Sequence, residues 1–270
     1  LEETNVDGFR LDAVKHISSL FYKEYIERIK KEIKNDLFTV GEYWSGDITK
    51  LHKYIEETEG NISLFDVPLH YNFFNASQNE DYDLSTILDN TLVKENPNLA
   101  VTFVDNHDTQ PGQSLESFIN GWFKLPAYSI ILLRDEGYPC VFYGDYYGIP
   151  HDKIEPVSAL PILMQIRKLC AYDLQKDYFD SRTVVGFTRS GNLEHPDSGL
   201  AVVATSREEG SKYMIIGEDK TRGGQKFYDA LGHFDDPVVL DNNNGADFPV
   251  RGGSVSVYVS EPIYRRLRML

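Results

Sequence analysis

Three carboxylates that are far apart in the sequence each end a short apolar run. Asp12 lies in the string DGFRLDAVKH, Glu42 in FTVGEYW and Asp108 in VTFVDNHDTQPG. In a βα-barrel, the side chains that do chemistry come from the C-terminal ends of parallel strands and meet in one cleft. Three acidic strand ends therefore predict acid/base chemistry.

Arg10 is the positive charge nearest to Asp12 in the sequence. Side chains alternate along a strand, so Arg10 and Asp12 share a face, and a charge-assisted pair can keep Asp12 ionised. A single aspartate near a strand end is more often a helix or turn cap. The prediction of chemistry therefore rests on the longer strings, and Asp66 in LFDVPL is expected to be structural.

Alternating strand-like and helix-like segments must position these residues. Strands are predicted at 6–12, 37–42, 63–69, 100–104 and 139–144, and helices at 17–33, 48–59, 84–93, 118–136 and 159–171. Short β-rich runs divided by Gly, Asn and Asp turns follow, at 183–188, 199–204, 212–216, 225–229, 237–240 and 254–259. This predicts an α/β domain at 1–177 and a β-sandwich domain at 178–270.

The charge balance disfavours some classes of partner. The 270 residues include 27 basic and 42 acidic side chains, a net charge of -15, which disfavours nucleic acid and anionic membranes. No apolar run reaches the roughly 18 residues of a transmembrane helix. Cys140 and Cys170 lack CxxC spacing, so neither a metal site nor a disulfide is indicated, and both are expected to be buried thiols.

The strings DGFRLDAVKH, GEYW and FVDNHDTQPGQSLE resemble three motifs of the α-amylases in glycoside hydrolase family 13: nucleophile, acid/base and third carboxylate. The resemblance is to the bacterial liquefying and intracellular members. It continues through LFDVPLHYNF, YPCVFYGDYYG and GGSVSVYV, and so covers nearly the whole chain.

This resemblance implies strands four to eight of a (β/α)8 TIM barrel, followed by an antiparallel Greek-key β-sandwich. Such barrels take about 250 residues, so strands one to three and the domain inserted after strand three are missing. We expect the chain to be the C-terminal portion of a longer enzyme. Exposed barrel edges would then favour self-association.

The resemblance also implies roles for the site residues. Asp12 is the nucleophile and Glu42 the acid/base of a retaining glycosidase, whose two carboxyl groups lie about 5 Å apart. Asp108 holds sugar hydroxyls and favours the distorted ring. Arg10 keeps Asp12 ionised, and His107 bonds the sugar at the cleavage site.

Further family positions bind the leaving-group side of the glucan and a metal. Lys15 and His16 match the leaving-group positions, while Trp44 either stacks on sugar or packs. The backbone carbonyl of His16 matches a calcium ligand, so calcium is implied for the full-length enzyme. This chain alone is not expected to bind it well, because calcium needs six to eight oxygens, roughly. A second calcium site at Asp177 is expected to be absent, because Lys176 and Ser206 replace its other ligands.

The predicted function is retaining endo-hydrolysis of α-1,4-glucosidic bonds in starch, glycogen or maltodextrins. Three alternatives stay open: an inactive fragment, a carbohydrate-binding or interaction module, and an α-glucan transglycosylase. The similarity of FTRSG and of the acidic β-domain to intracellular bacterial members of the family, together with two cysteines that show no pairing signal, favours a cytoplasmic location.

Overall fold

Short apolar segments form five parallel strands whose order in the sheet follows the chain. They are β1 (Gly8–Leu11), β2 (Phe38–Gly41), β3 (Ser63–Phe65), β4 (Ala100–Phe103) and β5 (Tyr138–Cys140). The structure, a computed structural model, describes residues 3–269 and divides into two units. The sheet lies in the first unit, which runs to Asn72 and includes Leu88–Phe103 and Glu136–Cys140.

Helices alternate with these strands. They are α1 (Ser19–Glu32), α2 (Ile48–Glu57), α3 (Val67–Gln78), which crosses into the second unit, and α4 (Leu92–Glu95). The helix α1 buries Tyr22, Ile26 and Ile29, which lie three or four residues apart and so share one face. The helix α2 begins after Asp47, whose side chain accepts a hydrogen bond from Thr49 N at 3.0 Å.

The parallel sheet is strongly curled. Phe38 begins β2 and Tyr138 begins β5, yet their ring centroids are 5.4 Å apart. Three strand spacings in a flat sheet amount to roughly 14 Å. Curling of this kind is what part of a βα-barrel requires.

The second unit contains Phe73–Ile87, Val104–Asp135 and the residues from Val141 onward. Its first helices are α5 (Gly121–Leu133), α6 (Tyr143–Tyr147) and α7 (Leu160–Cys170), and α5 packs against α7. The side chains of α5 are apolar and buried nearly throughout. A helix of that kind is expected inside a layered α/β structure rather than on its surface.

Two antiparallel sheets complete this unit. Their strands are β6 (Gln175–Tyr178), β7 (Val184–Arg189), β8 (Leu200–Thr205), β9 (Gly210–Ile215), β10 (Lys226–Asp229), β11 (Val238–Val239), β12 (Gly245–Val250) and β13 (Val255–Ser260), followed by α8 (Glu261–Leu267). The larger sheet has the order β11-β10-β13-β8-β7-β6, and β12 pairs with β9. A shared core that includes Val203, Met214, Phe227, Phe248 and Tyr258 makes this part a sandwich.

Several sequence predictions are corrected. The predicted helix at 84–93 is wrong: one 3-10 turn covers Leu84–Thr86, and Asn90 has a φ of 55°, which no helix accommodates. The predicted strands at 63–69 and 139–144 end early, and α3 and α6 follow them. Both cysteines were expected to be buried. Cys170 is buried, but Cys140 is exposed, because alternate side chains of β5 point away from the packed face of the sheet.

Two further observations bear on the predictions. The strand β6 begins at Gln175 and already pairs with β7, slightly before the predicted domain boundary at 178. Within residues 3–269, no helix combines the length and the apolar character needed to cross a membrane.

Candidate active site

The register of β1 against β2 places Asp12 and Glu42 at the same edge of the sheet. Leu11 pairs with Gly41, the last residue of β2, so Asp12 and Glu42 are the next residue on each strand. The ladder closes when Glu42 N donates to Leu11 O at 2.9 Å. Two carboxylates predicted to work together therefore emerge side by side.

Arg10 joins these two carboxylates. Its NH1 donates to Asp12 Oδ1 at 2.6 Å, and its NH2 donates to Glu42 Oε2 at 3.1 Å. The pair with Asp12 is the one that strand alternation predicts. The pair with Glu42 was not predicted, because it crosses to the neighbouring strand. One guanidinium therefore holds two acids that would otherwise repel each other.

The two carboxylates differ in their access to solvent. The Asp12 side chain is 74% exposed, whereas that of Glu42 is 7% exposed. Glu42 Oε2 also accepts a hydrogen bond from Ala13 N at 3.2 Å. Ala13 has a φ of 45°, in the left-handed region, where an alanine is strained by about 1 kcal/mol. The left-handed conformation at Ala13 points its backbone N–H towards Glu42. A 3-10 turn at Val14–His16 follows.

Lys15 lies on that 3-10 turn, and its side chain extends to the segment that follows β2. Its Nζ donates to Trp44 O at 3.2 Å. Lys15 also lines a cavity of about 330 Å³ together with Tyr43 and Tyr54. The Lys15 ammonium and the hydroxyl of the partly exposed Tyr43 can donate hydrogen bonds to sugar hydroxyls.

Trp44 is buried. Its Nε1 donates to Tyr71 OH at 2.9 Å, and its ring packs near His70 and Phe103. Of the two roles that the sequence left open, this position supports packing over sugar stacking. The ring of His70 is itself buried and stacked on Phe103, with centroids 5.2 Å apart.

The described residues do not fit a calcium shell. His16 is exposed on the 3-10 turn and offers one carbonyl, and residues 3–269 contain no cluster of three or more His, Cys, Asp or Glu suited to a metal. Asp177 accepts from NH1 of Arg134 and from NH2 of the same guanidinium at 3.0 Å. That carboxylate is therefore engaged by a cation of the chain itself.

His107 and Asp108 lie in the second unit, on the loop after β4 rather than at the strand end itself. Asp108 Oδ2 is 3.4 Å from His107 Nε2. Asp108 N donates to Asn106 Oδ1 at 2.9 Å, and Leu115 N donates to Asp108 O at 3.1 Å. The loop thus offers one carboxylate and one imidazole, which can accept from and donate to sugar hydroxyls.

Asp66 follows β3 and serves the fold, as its sequence context suggests. It is fully buried, and its carboxylate accepts from Leu69 N at 3.1 Å, Leu92 N at 3.1 Å and Val93 N at 2.7 Å. It therefore caps the first turns of α3 and α4. Burial raises the pKa of Asp66 to about 6, although the three N–H donors oppose this rise.

Sequence reasoning missed Asp105 and Lys124, a buried ion pair in the second unit. Lys124 Nζ lies 2.6 Å from Asp105 Oδ2, and both side chains are shielded from solvent. Burial, as the largest cause, raises the pKa of Asp105 to about 6, while the charge of Lys124 acts against this. The available signal was a single lysine in the otherwise apolar run of α5.

Comparison with known proteins identifies the family. The family model for the catalytic domain of α-amylases matches residues 1–181. An α-amylase from Geobacillus stearothermophilus is 51% identical over 258 residues, which cover 95% of this chain and 47% of that protein. A cytoplasmic α-amylase from Escherichia coli (strain K12) is 43% identical over 276 residues, covering 97% of this chain and 55% of that protein. The chain belongs to the α-amylase family, as its motifs predict.

The chain spans about half the length of these relatives. Among solved structures, an Anoxybacillus α-amylase matches 96% of this chain and 60% of its own, with a TM-score of 0.72 and 20% identity. At that identity the likeness concerns the fold. It agrees with a curled parallel sheet followed by antiparallel sheets.

Proposed function

We propose that the protein containing this chain hydrolyses α-1,4-glucosidic bonds inside starch, glycogen or maltodextrins, with retention of configuration. The observation that carries this proposal is the bridge that Arg10 makes between exposed Asp12 and buried Glu42. A retaining glycosidase requires two carboxyl groups about 5 Å apart, a separation that the ends of neighbouring strands can supply. Family membership supports the substrate class.

Asp12 is the nucleophile in this mechanism. Its exposed carboxylate attacks the anomeric carbon while the bond to the leaving sugar breaks, which gives a glycosyl ester on Asp12. Arg10 keeps the carboxylate ionised and oriented by a 2.6 Å contact. Water then attacks the same carbon and releases Asp12.

Glu42 moves the proton. Its contacts with Arg10 and Ala13 N both end on Oε2, so Oε1 is the oxygen that delivers a proton to the leaving sugar. Glu42 then takes a proton from the water that attacks the ester.

The remaining site residues bind the glucan. His107 and Asp108 hold hydroxyls of the sugar at the cleavage point, and Lys15 and His16 hold the sugars on the leaving-group side. Trp44 is buried, and its backbone O accepts a hydrogen bond from Lys15 Nζ, which helps to position Lys15. Transglycosylation uses the same ester with a sugar acceptor in place of water.

The wider arrangement is part of the proposal. The parallel sheet corresponds to strands four to eight of a (β/α)8 barrel in a domain at 1–177, and residues 178–270 form a Greek-key sandwich. The rest of the whole protein supplies the remaining barrel strands and, with the carbonyl of His16, the calcium ligands. The open sheet edges favour self-association, and the name of the Escherichia coli relative supports a cytoplasmic location.

Reducing-end release from soluble starch tests this function. The 270-residue chain and the longest product of its gene are each assayed with calcium and with a chelator, beside a Glu42→Gln variant. We expect release by the longest product and its loss, by at least about 100-fold, in the Glu42→Gln variant.

Other outcomes identify the alternatives. Starch binding without reducing ends indicates a binding module, and longer glucans without net release indicate a transglycosylase. Release that survives in Glu42→Gln contradicts the assigned acid/base. Release by the longest product alone makes this chain an inactive portion of the enzyme.

A further inference from the structure

Lys124 is buried in the apolar helix α5. Only 2% of the residue is exposed. An ammonium removed from water is costly unless it is paired with charge and hydrogen bonds. Its position therefore needs a reason beyond helix formation.

Three groups surround the Lys124 ammonium. Nζ lies 2.6 Å from Asp105 Oδ2, 2.5 Å from Asp145 Oδ1 and 3.6 Å from the centroid of the Phe118 ring. Each contact is favourable for a cation, and the two carboxylates are nearly inaccessible to solvent. The cluster thus contains one positive group between two acids.

Asp105 connects Lys124 to the loop after β4 by hydrogen bonds. Its Oδ1 accepts from Thr109 Oγ1 at 2.7 Å, and its Oδ2 accepts from Ile119 N at 3.3 Å. Thr109 Oγ1 in turn accepts from Asn106 N at 3.0 Å. The two ends of the loop are therefore tied to the carboxylate that Lys124 holds.

The chain of hydrogen bonds continues to Asp108. Asn106 Oδ1 accepts from Asp108 N at 2.9 Å and from Thr109 N at 3.0 Å. Ser117 N donates to Thr109 O at 3.1 Å and closes the loop on itself. These hydrogen bonds fix the backbone at His107 and Asp108.

Asp145 is the second carboxylate that contacts the Lys124 ammonium, and it forms further hydrogen bonds. Its Oδ2 accepts from Tyr128 OH at 2.6 Å, and its backbone O accepts from Val157 N at 2.8 Å. Lys124 therefore links the loop after β4 with the segment after β5. Without its ammonium, two buried carboxylates would face each other with no counter-ion, so that the loop would have to move or one carboxylate would have to take up a proton.

We propose that Lys124 is a positioning residue, which acts through Asp105 to hold His107 and Asp108 in the geometry that binds the glucan. The proposal rests on the proposed function for its catalytic consequence. The anchoring of the loop itself does not depend on activity, and this allows the two to be tested separately.

The experiment compares Lys124→Met, Lys124→Arg and Thr109→Val with a core control, Phe248→Leu, which destabilises the sandwich without touching the loop. Amide hydrogen exchange is measured across residues 104–118 in the 270-residue chain. Values of kcat and KM on starch are measured with the longest gene product, at a temperature where circular dichroism shows every variant folded.

We expect exchange at Asp108 and Thr109 to rise at least about 10-fold in Lys124→Met and Thr109→Val, but not in Phe248→Leu. We expect kcat to fall about 30-fold or more with a much smaller change in KM, because hydrogen bonds to the sugar at the cleavage point strengthen in the transition state. Lys124→Arg should recover part of the loss. The effects of Lys124→Met and Thr109→Val should be less than additive, since both act on one network.

Unchanged loop exchange in both variants overturns the proposal, as does a kcat loss no larger than that of Phe248→Leu. Thr109→Val decides the question alone where Lys124→Met does not fold. Faster loop exchange in a protein that never cleaves starch leaves the anchoring in place and refutes the proposed function instead.

Discussion

The guanidinium of Arg10 donates to Glu42 on the neighbouring strand across 3.1 Å. The same guanidinium donates to Asp12, so the charge that supports the nucleophile also supports the acid/base. A planar guanidinium can serve two carboxylates at once, whereas an ammonium presents a single point charge. This bridge makes Arg10 the first residue to test.

Arg10→Lys keeps the charge and loses the bridge. We expect kcat on starch to fall by about 10- to 100-fold, because one of two charge-assisted hydrogen bonds is lost, at about 1.5–3 kcal/mol. Arg28→Lys is the matched control, because Arg28 pairs only with Glu32 on the exposed face of α1 among the contacts described. Equal rates for the two variants would contradict a bridging role.

The roles of Glu42 and Asp12 can be distinguished with a substrate whose leaving group needs no proton. Glucosyl fluoride releases fluoride without protonation, so Glu42→Gln should retain the burst of fluoride from the first turnover. Later turnovers and starch cleavage should fall about 100-fold or more, because both need Glu42 to transfer a proton. Asp12→Asn should lose both reactions, since no ester can form. Fluoride release is followed by an ion-selective electrode. An Asp12→Asn protein as active as Glu42→Gln on the fluoride would reverse the assignment.

Asp66 should make stability depend on pH in an unusual direction. Its pKa is raised from 3.8 to about 6, so between these values the folded chain keeps a proton that the unfolded chain has released. The wild type should therefore lose up to about 3 kcal/mol of unfolding free energy, relative to Asp66→Asn, as the pH rises from 4 to 7. Urea unfolding at several pH values measures this difference.

Asp47 provides the opposite case. Its hydrogen bond from the Thr49 side chain, and then that from Thr49 N, hold the pKa of the Asp47 carboxyl below its usual value. The wild type should therefore gain stability relative to Asp47→Asn as the pH rises from acid. The same slope for both aspartates would mean that burial does not govern Asp66.

Phe248 tests the sandwich core. It is fully buried among residues of both antiparallel sheets, so Phe248→Ala should lower the free energy of unfolding by about 3–5 kcal/mol. Leu193→Ala is the control, because Leu193 is 98% exposed. Urea unfolding followed by circular dichroism measures both. A loss under about 1 kcal/mol at Phe248 would be incompatible with a packed sandwich.

The sequence anticipated the strand ends that carry Asp12 and Glu42, because both follow compact apolar runs and lie in long motifs. It also anticipated most strands of the sandwich from alternation and turn residues. The helix α3 was not predicted, because Val67 and Leu69 extend the apolar run of β3 and were assigned to that strand. What ends that strand is Asp66, which receives N–H donors from two helices, one of them 26 residues further along the chain.

The contacts of Arg10 with Glu42 and of Lys124 with Asp105 were beyond sequence reasoning for another reason. Lysine and arginine are exposed by default, and although the apolar run of α5 indicates that Lys124 faces inward, nothing local in the sequence identifies its partner or that of Arg10. Their partners come from a different strand or loop, so register and packing must be known first. The β12 strand was missed similarly, since Pro249 weakens its local signal and its pairing with β9 compensates.

The alignment of Leu11 with Gly41 also determines which changes in length the chain can tolerate. Inserting or deleting one residue within Gly8–Leu11 would turn Arg10 and Asp12 to the opposite face of the sheet. Their apolar neighbours in the strand would then occupy the face that carries the site. Loops elsewhere can grow or shrink at small cost. Natural variation in chain length should therefore avoid these four residues, and grafts of this site onto other scaffolds must preserve their spacing.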